Sequence, residues 1–274
     1  MKDDEFDFIR SLVYERSRIS LDDRKRDLVT GRLAKRLRAN GLGAMGDYCS
    51  LLRSPENELE RSMMIDAIST NHTFFFREIA HFKLLRETIL PEMVSRAQAE
   101  RWSKLNVWSA ACSSGEEAFS IGITLADGLA SLAFPWQVAA TDISHRILKA
   151  AQTAIYKESA VVPHTPAWAL PYFQRGFAAQ SGYFRVKPSI RANVHFSQLN
   201  LLEGVSPLAE PTQVIFCRNV MIYFDKPTQE ELVKKLTGYL VPGGYLIVGH
   251  SEGLTGIPHR LQLVQPSVYR KPAA

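Results

Sequence analysis

An α/β fold is predicted: a mostly parallel sheet with an antiparallel edge, a small all-helical N-terminal domain and a small β insertion. Three observations predict it. Residues 1–70 show helical spacing of apolar side chains, and no clear strand precedes residue 100. From about residue 104, short apolar runs alternate with helical segments, which implies a parallel sheet with helices on both faces. The last two runs form a pair around Pro266, which suggests an antiparallel edge. The expected boundaries are 1–70 for the helical domain and 71–274 for the sheet domain, with the insertion at about 172–192.

Each element follows from its residues. Leu28, Val29, Leu33 and Leu37 are helically spaced within Asp23–Asn40, with Asp22 and Asp23 as candidate N-caps and Gly41 as the stop. Between Arg24 and Asn40 the only acid is Asp27, against Arg24, Lys25, Arg26, Arg32, Lys35, Arg36 and Arg38. A second helix is predicted from Pro55 to Ser69, where Glu56, Glu58 and Glu60 suit the first turns. Strands are predicted at Val107–Ala111, Gln137–Thr141, Asn193–Ser197 and Gln213–Cys217. Helices are predicted at Glu116–Leu129, Ser144–Thr153 and Pro227–Tyr239. Pro242-Gly243-Gly244 reads as a turn into the strand Tyr245–Gly249, and Leu261–Val264 and Ser267–Arg270 close the sheet. Aromatic and basic residues with glycine turns between Tyr172 and Pro188 suggest the β insertion.

Composition excludes several classes. With 46% hydrophobic and 22% charged residues, the 274-residue chain has ordinary globular usage, and it is long enough to bury a core without staples. No run approaches the roughly 20 apolar residues of a membrane span. The acidic start, MKDDEFDF, does not resemble a signal peptide. Cys49, Cys112 and Cys217 are odd in number and form no CxxC pair, which argues against disulfides and a cysteine zinc site and fits a reducing cytoplasm. The net charge of +5 does not by itself imply nucleic acid.

In an open α/β sheet, ligands bind at the carboxyl ends of the strands. The first strand of the sheet domain ends at Ser109–Gly115, where Gly115 and its small neighbours allow close backbone approach. Glu116 and Glu117 open the next helix, and two carboxylates there would repel a pyrophosphate. The glycines also fail the GxGxxG pattern, so a small nucleoside with a cationic part is favoured over a dinucleotide. Asp142 closes the second strand 27 positions after Gly115, close to the spacing of about 20 at which an acid binds ribose hydroxyls. S-adenosylmethionine, with its ribose, amino group and sulfonium, meets both demands. On the residues alone, helix capping is the better account of Glu116 and Glu117 and about as good an account of Asp142.

Four segments stand out in order: Thr70-Asn71-His72-Thr73-Phe74-Phe75-Phe76-Arg77-Glu78, Trp108–Glu117, Ile215–Asp225 and Gly249-His250-Ser251-Glu252. The first is similar to the TNxTxFFRE signature of the CheR chemoreceptor methyltransferases and the second to their glycine motif; the other two also resemble theirs, in matching order from about Asp3 to Arg270. Ala118 and Phe119 depart from the Pro and Tyr that many members carry. The resemblance implies a class I S-adenosylmethionine-dependent methyltransferase sheet and a protein-glutamate O-methyltransferase acting in chemotaxis signalling. Asn71, Thr73 and Arg77 would lie over the cofactor, with Arg77 on its carboxylate. Glu117 or Glu116 would hold its amino group and Asp142 its ribose, while Asn200, Leu201, Arg218 and Asn219 would meet the adenine. Tyr223 would line the transfer site with Arg77, and Phe74–Phe76 would shield the cofactor or fill the core. Arg32, Lys35, Arg36 and Arg38 would face the glutamate-rich cytoplasmic helices of methyl-accepting receptors. The product would be S-adenosylhomocysteine, no metal would be needed, and His250 would be a structural hydrogen-bonder.

The expected protein is a cytoplasmic monomer recruited to receptors, without nucleic-acid binding or membrane insertion. A nucleic-acid methyltransferase is the competing enzyme, but the chain has no Pro-Pro for the [DNS]-P-P-[YF] motif common in exocyclic-amine enzymes. A non-catalytic cofactor-binding module is the other alternative.

Overall fold

A computed structural model describes residues 1–273, so Ala274, the end of the expected sheet domain, lies outside the described residues. The chain starts with four helices: α1 (Asp3–Ser17), α2 (Arg26–Ala39), α3 (Met45–Arg53) and α4 (Glu58–Ile68). Their apolar faces close a core of their own around Phe6, Ile9, Val13, Val29, Leu33, Tyr48 and Met64. The basic segment enters α2 through a 3-10 turn, Asp23–Lys25. Asp22 does not cap it through its side chain, which pairs with Arg24 in solvent instead. The acidic helix starts at Glu58 rather than Pro55, because Ser54–Asn57 forms a turn.

Two segments that the sequence reading left unassigned are helical, α5 (Ile79–Leu84) and α6 (Leu90–Glu100), joined by the π turn Leu85–Ile89. The sheet domain follows: β1 (Leu105–Ala110), α7 (Glu116–Gly128), β2 (Trp136–Asp142), α8 (His145–Thr153), β3 (Ile155–Lys157), α9 (Glu158–Val161), β4 (Phe173–Arg175), β5 (Tyr183–Val186), α10 (Pro188–Arg191), β6 (Val194–Gln198), β7 (Thr212–Cys217), α11 (Lys226–Tyr239), β8 (Leu240–Val248), β9 (Gln262–Gln265) and β10 (Val268–Arg270). The large sheet has the order β6-β2-β1-β7-β8-β10-β9. It is parallel as far as β8 and antiparallel over the last two strands. Strands β1 and β7 are buried along their whole length, as expected of a parallel sheet covered on both faces.

Two expectations are corrected. Pro242-Gly243-Gly244 does not separate a turn from a strand. It lies inside the continuous strand β8, where Gly243 takes φ +72° and the pairing with β7 shifts register between Thr212 and Val214. The β insertion is a three-stranded sheet, β3-β5-β4, whose first strand comes directly after α8, so it begins well before residue 172. All three cysteines are free and buried, and burial pushes the Cys49 thiol up to about 11 and those of Cys112 and Cys217 well above their usual value. Among the described residues no helix is long and apolar enough to cross a membrane.

Candidate active site

The chain leaves β1 toward β2 on one side and reaches β7 on the other, so the loops at the carboxyl end of β1 part and leave a crevice. The helical domain roofs it. Ser17, Ile19, Leu21, Lys25 and Leu28 line the same cavity as the strand ends. Three cross-links hold the roof: the Ser20 amide donates to Tyr223 O at 2.8 Å, Asn200 Nδ2 to Arg16 O at 3.1 Å, and the Tyr14 hydroxyl to Asp225 at 2.8 Å.

The floor is the loop after β1. Ala111 (φ 69°), Ser113 (φ 51°) and Gly115 (φ 95°) are all left-handed. Only Gly115 adopts this geometry without strain, and Ala111 and Ser113 are the ones that line the cavity. The bare face of Gly115 turns away from the cavity. A Cβ there would lie 2.9 Å from both Ala151 Cβ and Tyr156 Oη, so the glycine serves helix and insertion packing rather than ligand approach. The next two residues diverge. Glu116 accepts from the Ser114 hydroxyl at 2.6 Å and does not line the cavity, whereas Glu117 does. Of the two acids, Glu117 is the one that faces the cavity.

Arg218, at the end of β7, fixes Glu117. Its side chain is 1% exposed, with Nη1 3.1 Å from Glu117 and Nη2 3.0 Å from Glu78, and it also donates to Arg77 O. Both terminal nitrogens of the guanidinium are thus held inside the protein, while Nε has no partner among the described residues and Arg218 borders the cavity. Arg77 does not pair with its neighbour Glu78, which turns to Arg218 instead. Burial raises the Glu117 carboxyl, opposed by Arg218 and by a 2.7 Å hydrogen bond from Ser109. Burial works the same way on Glu78, but there Arg218 and Asn219 win and hold it below the usual carboxylate range. Beside them, burial pushes His81 down to about 4, with the Arg218 charge adding to the effect.

Asp142 lines the cavity with both oxygens already held, accepting from the Ser113 amide at 2.8 Å and the Ser144 amide at 3.0 Å. The cap of α8 is Ser144 itself, whose hydroxyl accepts from the Ile147 amide. Burial raises Asp142, against the pull of those amides. A carboxylate has about four lone-pair sites, so capacity remains for a diol. Asn200 is oriented by the Leu202 amide at 3.1 Å, and Asn200 and Leu201 sit on the same wall. Asn219 (φ 59°) is pinned by Glu252, which accepts from its amide and from those of Gly249 and Ile222. Asn71, Thr73, Arg77 and Tyr223 also line the cavity, with Arg77 Nη1 donating to His72 O at 2.8 Å. Phe75 and Phe76 are core, while Phe74 borders the cavity and packs against His164.

The basic helix is corrected in part. Arg32 donates to Ile68 O and the Thr70 hydroxyl, tying α2 to the start of the signature segment. Arg36 forms a two-bond pair with Glu60, whose side chain is 9% exposed and also accepts from Tyr48 at 2.6 Å. Neither is a free surface charge. Lys35 and Arg38 are exposed.

Sequence reasoning missed Glu78, Ser109 and Glu252 as positioning residues. Glu78 and Glu252 stand inside quoted motifs, which was the available signal, but their partners lie far along the chain.

The site thus presents two buried carboxylates, Glu117 and Asp142, to one cavity, and the single buried cation is shared with a third acid. Desolvated negative charge of this kind favours a ligand carrying positive charge and hydroxyl donors. S-adenosylmethionine fits those residues. Comparison with known proteins agrees. Residues 71–270 match the family model described as CheR methyltransferase, SAM binding domain, and residues 4–69 the CheR methyltransferase, all-alpha domain. The chemotaxis protein methyltransferase of Salmonella typhimurium is 41% identical over 98% of this chain and 90% of its own. That of Escherichia coli is 39% identical over 98% and 91%, and chemotaxis protein methyltransferase 2 of Pseudomonas aeruginosa 38% over 97% and 92%. With both of its domains matched in order and relatives this similar along nearly the whole length, the chain belongs to the CheR family of S-adenosylmethionine-dependent chemotaxis methyltransferases.

Proposed function

We propose that this protein methylates glutamate side chains in the cytoplasmic helices of chemoreceptors, giving glutamyl methyl esters and S-adenosylhomocysteine. The observation that carries the reading is Glu117 and Asp142, two buried carboxylates facing one cavity beneath the helical domain. Glu117 takes the amino group of the cofactor, Asp142 the ribose hydroxyls, and Asn200 and Leu201 border the adenine with Asn219. Arg77 forks onto the carboxylate, while Asn71 and Thr73 close over it. Arg218 is a positioning residue that holds Glu117.

When bound, S-adenosylmethionine supplies an electrophilic methyl group. The protein needs no general base, because a glutamate with a pKa of about 4.3 is already ionised at neutral pH. Its tasks are to orient the incoming carboxylate, to exclude water under the roof of the helical domain, and to place Tyr223 and Arg77 at the mouth. Lys35 and Arg38 are the exposed charges of α2 that meet acidic receptor helices.

The test is transfer of a tritiated methyl group to receptor-bearing membranes. Label released as methanol by mild alkali, and lost when the receptor glutamates are replaced by alanine, is the expected result. Alkali-stable label, or label on RNA or DNA only, overturns the reading.

A further inference from the structure

Beside the cofactor cavity lies a cluster whose two histidines the methyl-transfer reading does not use. Glu78, His81 and His250 each offer a ligand atom within 4.8 Å of the others. His81 Nδ1 is 3.5 Å from Glu78 Oε2, and His250 Nε2 is 3.9 Å from the same oxygen. The two imidazoles meet edge to face, with centroids 4.9 Å apart. His81 is 1% exposed, and neither of its ring nitrogens has a hydrogen-bond partner. A buried imidazole with both nitrogens unpaired is costly unless something occupies them.

We propose that Glu78, His81 and His250 form a binding site for a divalent transition-metal ion of the zinc type. Two imidazoles and a carboxylate are the donors such an ion prefers, and they are a poor set for magnesium. Ligands about 2.0–2.1 Å from a tetrahedral ion stand roughly 3.3 Å apart; the 3.5 and 3.9 Å separations from Glu78 are near that, and since the three ligand atoms lie within 4.8 Å of one another, the two imidazoles must also draw together. The side chain of His250 is 55% exposed, so it can swing inward, and the fourth position opens to water.

One feature opposes the ion. Glu78 Oε2 also accepts from Arg218 at 3.0 Å and from the His250 amide at 3.2 Å, and Glu78 Oε1 from Asn219 at 3.3 Å. The Arg218 charge is offset, however, because it serves both Glu78 and Glu117, and the three side chains together carry one net negative charge when ionised. An ion held by Glu78 competes with Arg218 for Oε2, and the site borders the network that orients Glu117.

The experiment is equilibrium dialysis of the untagged full chain against zinc chloride, with magnesium chloride in parallel. Wild type is expected to take up one zinc ion per chain and no magnesium. The exposed ligand gives the cleaner variant: His250→Ala, its fold checked by thermal unfolding without metal, should weaken zinc at least about tenfold, since even outer-shell changes cost that much. Cobalt in place of zinc should give a visible absorption band in wild type that the variant lacks. Equal zinc uptake by wild type and His250→Ala, or no uptake by wild type, overturns the proposal.

Discussion

Arg218 Nη1 stands 3.1 Å from Glu117 Oε2 on a side chain that is 1% exposed, so the acid facing the cavity and the cation behind it form one buried unit. Arg218→Met removes the cation and leaves buried Glu117 and half-buried Glu78 without it. Breaking a buried pair from one side costs about 3–5 kcal/mol. Denaturant unfolding should show that loss, with part of it recovered in the double variant Arg218→Met, Glu117→Gln. An unfolding midpoint equal to wild type would contradict the arrangement.

The pH response of the cavity has a definite sign. Burial raises both Glu117 and Asp142. For folding, a raised carboxyl contributes stability below its unfolded pKa that is lost as pH rises through the folded one. Ligand binding runs the other way, because the ammonium and hydroxyls need ionised acceptors. Affinity for S-adenosylhomocysteine should therefore fall on acidification before the ordinary carboxylate range near about 4.3 is reached. Calorimetry along a pH series should show the fall, and Glu117→Gln should bind more weakly and with a shallower response.

Asp142→Ala removes an acceptor from two amides as well as from the ribose. A charge-assisted hydrogen bond is worth about 1.5–3 kcal/mol, so both S-adenosylmethionine and S-adenosylhomocysteine should bind more weakly by at least that amount. Unchanged calorimetric affinity would refute the ribose assignment.

Arg77 lines the cavity and has one nitrogen on His72 O. Arg77→Lys keeps the charge and loses the fork, so it should not rescue an Arg77→Ala loss of methylation. Circular dichroism should show both variants folded. Full activity in Arg77→Lys would remove the need for a bidentate contact.

The basic helix should split into two behaviours. Arg36→Ala leaves Glu60 buried without its cation and should cost roughly 1–3 kcal/mol of stability. Lys35→Glu with Arg38→Glu should leave stability near wild type and slow receptor methylation. Exposed charges act over a Debye length of about 8 Å, so added salt should slow wild type more than the double variant. Equal methylation by both at low salt would place the receptor elsewhere.

What was legible in the sequence follows from the range of the interactions. Asp142 could be read because a strand end and its spacing from Gly115 are local facts. Glu78 and Arg218 could not be joined, since 140 positions separate them and the bond exists only once β7 is packed against the signature segment. Arg32 and Arg36 looked like surface charge because their partners, Ile68 O, Thr70 and Glu60, belong to α4 and the residues after it. Pro242–Gly244 carries turn residues, but the tertiary pairing of β8 with β7 absorbs them as an irregularity in one strand. Strand β3 is three residues long, too short for any period to show.

The burial of all three cysteines has a practical consequence. Thiolates are the reactive species, and burial opposes their formation at Cys49, Cys112 and Cys217. The native chain should therefore remain unlabelled by maleimide dyes while it is folded. A single cysteine introduced at exposed Arg38 or Lys35 then becomes the sole point of attachment, and a fluorophore there reports receptor encounter in real time without any background thiol being removed.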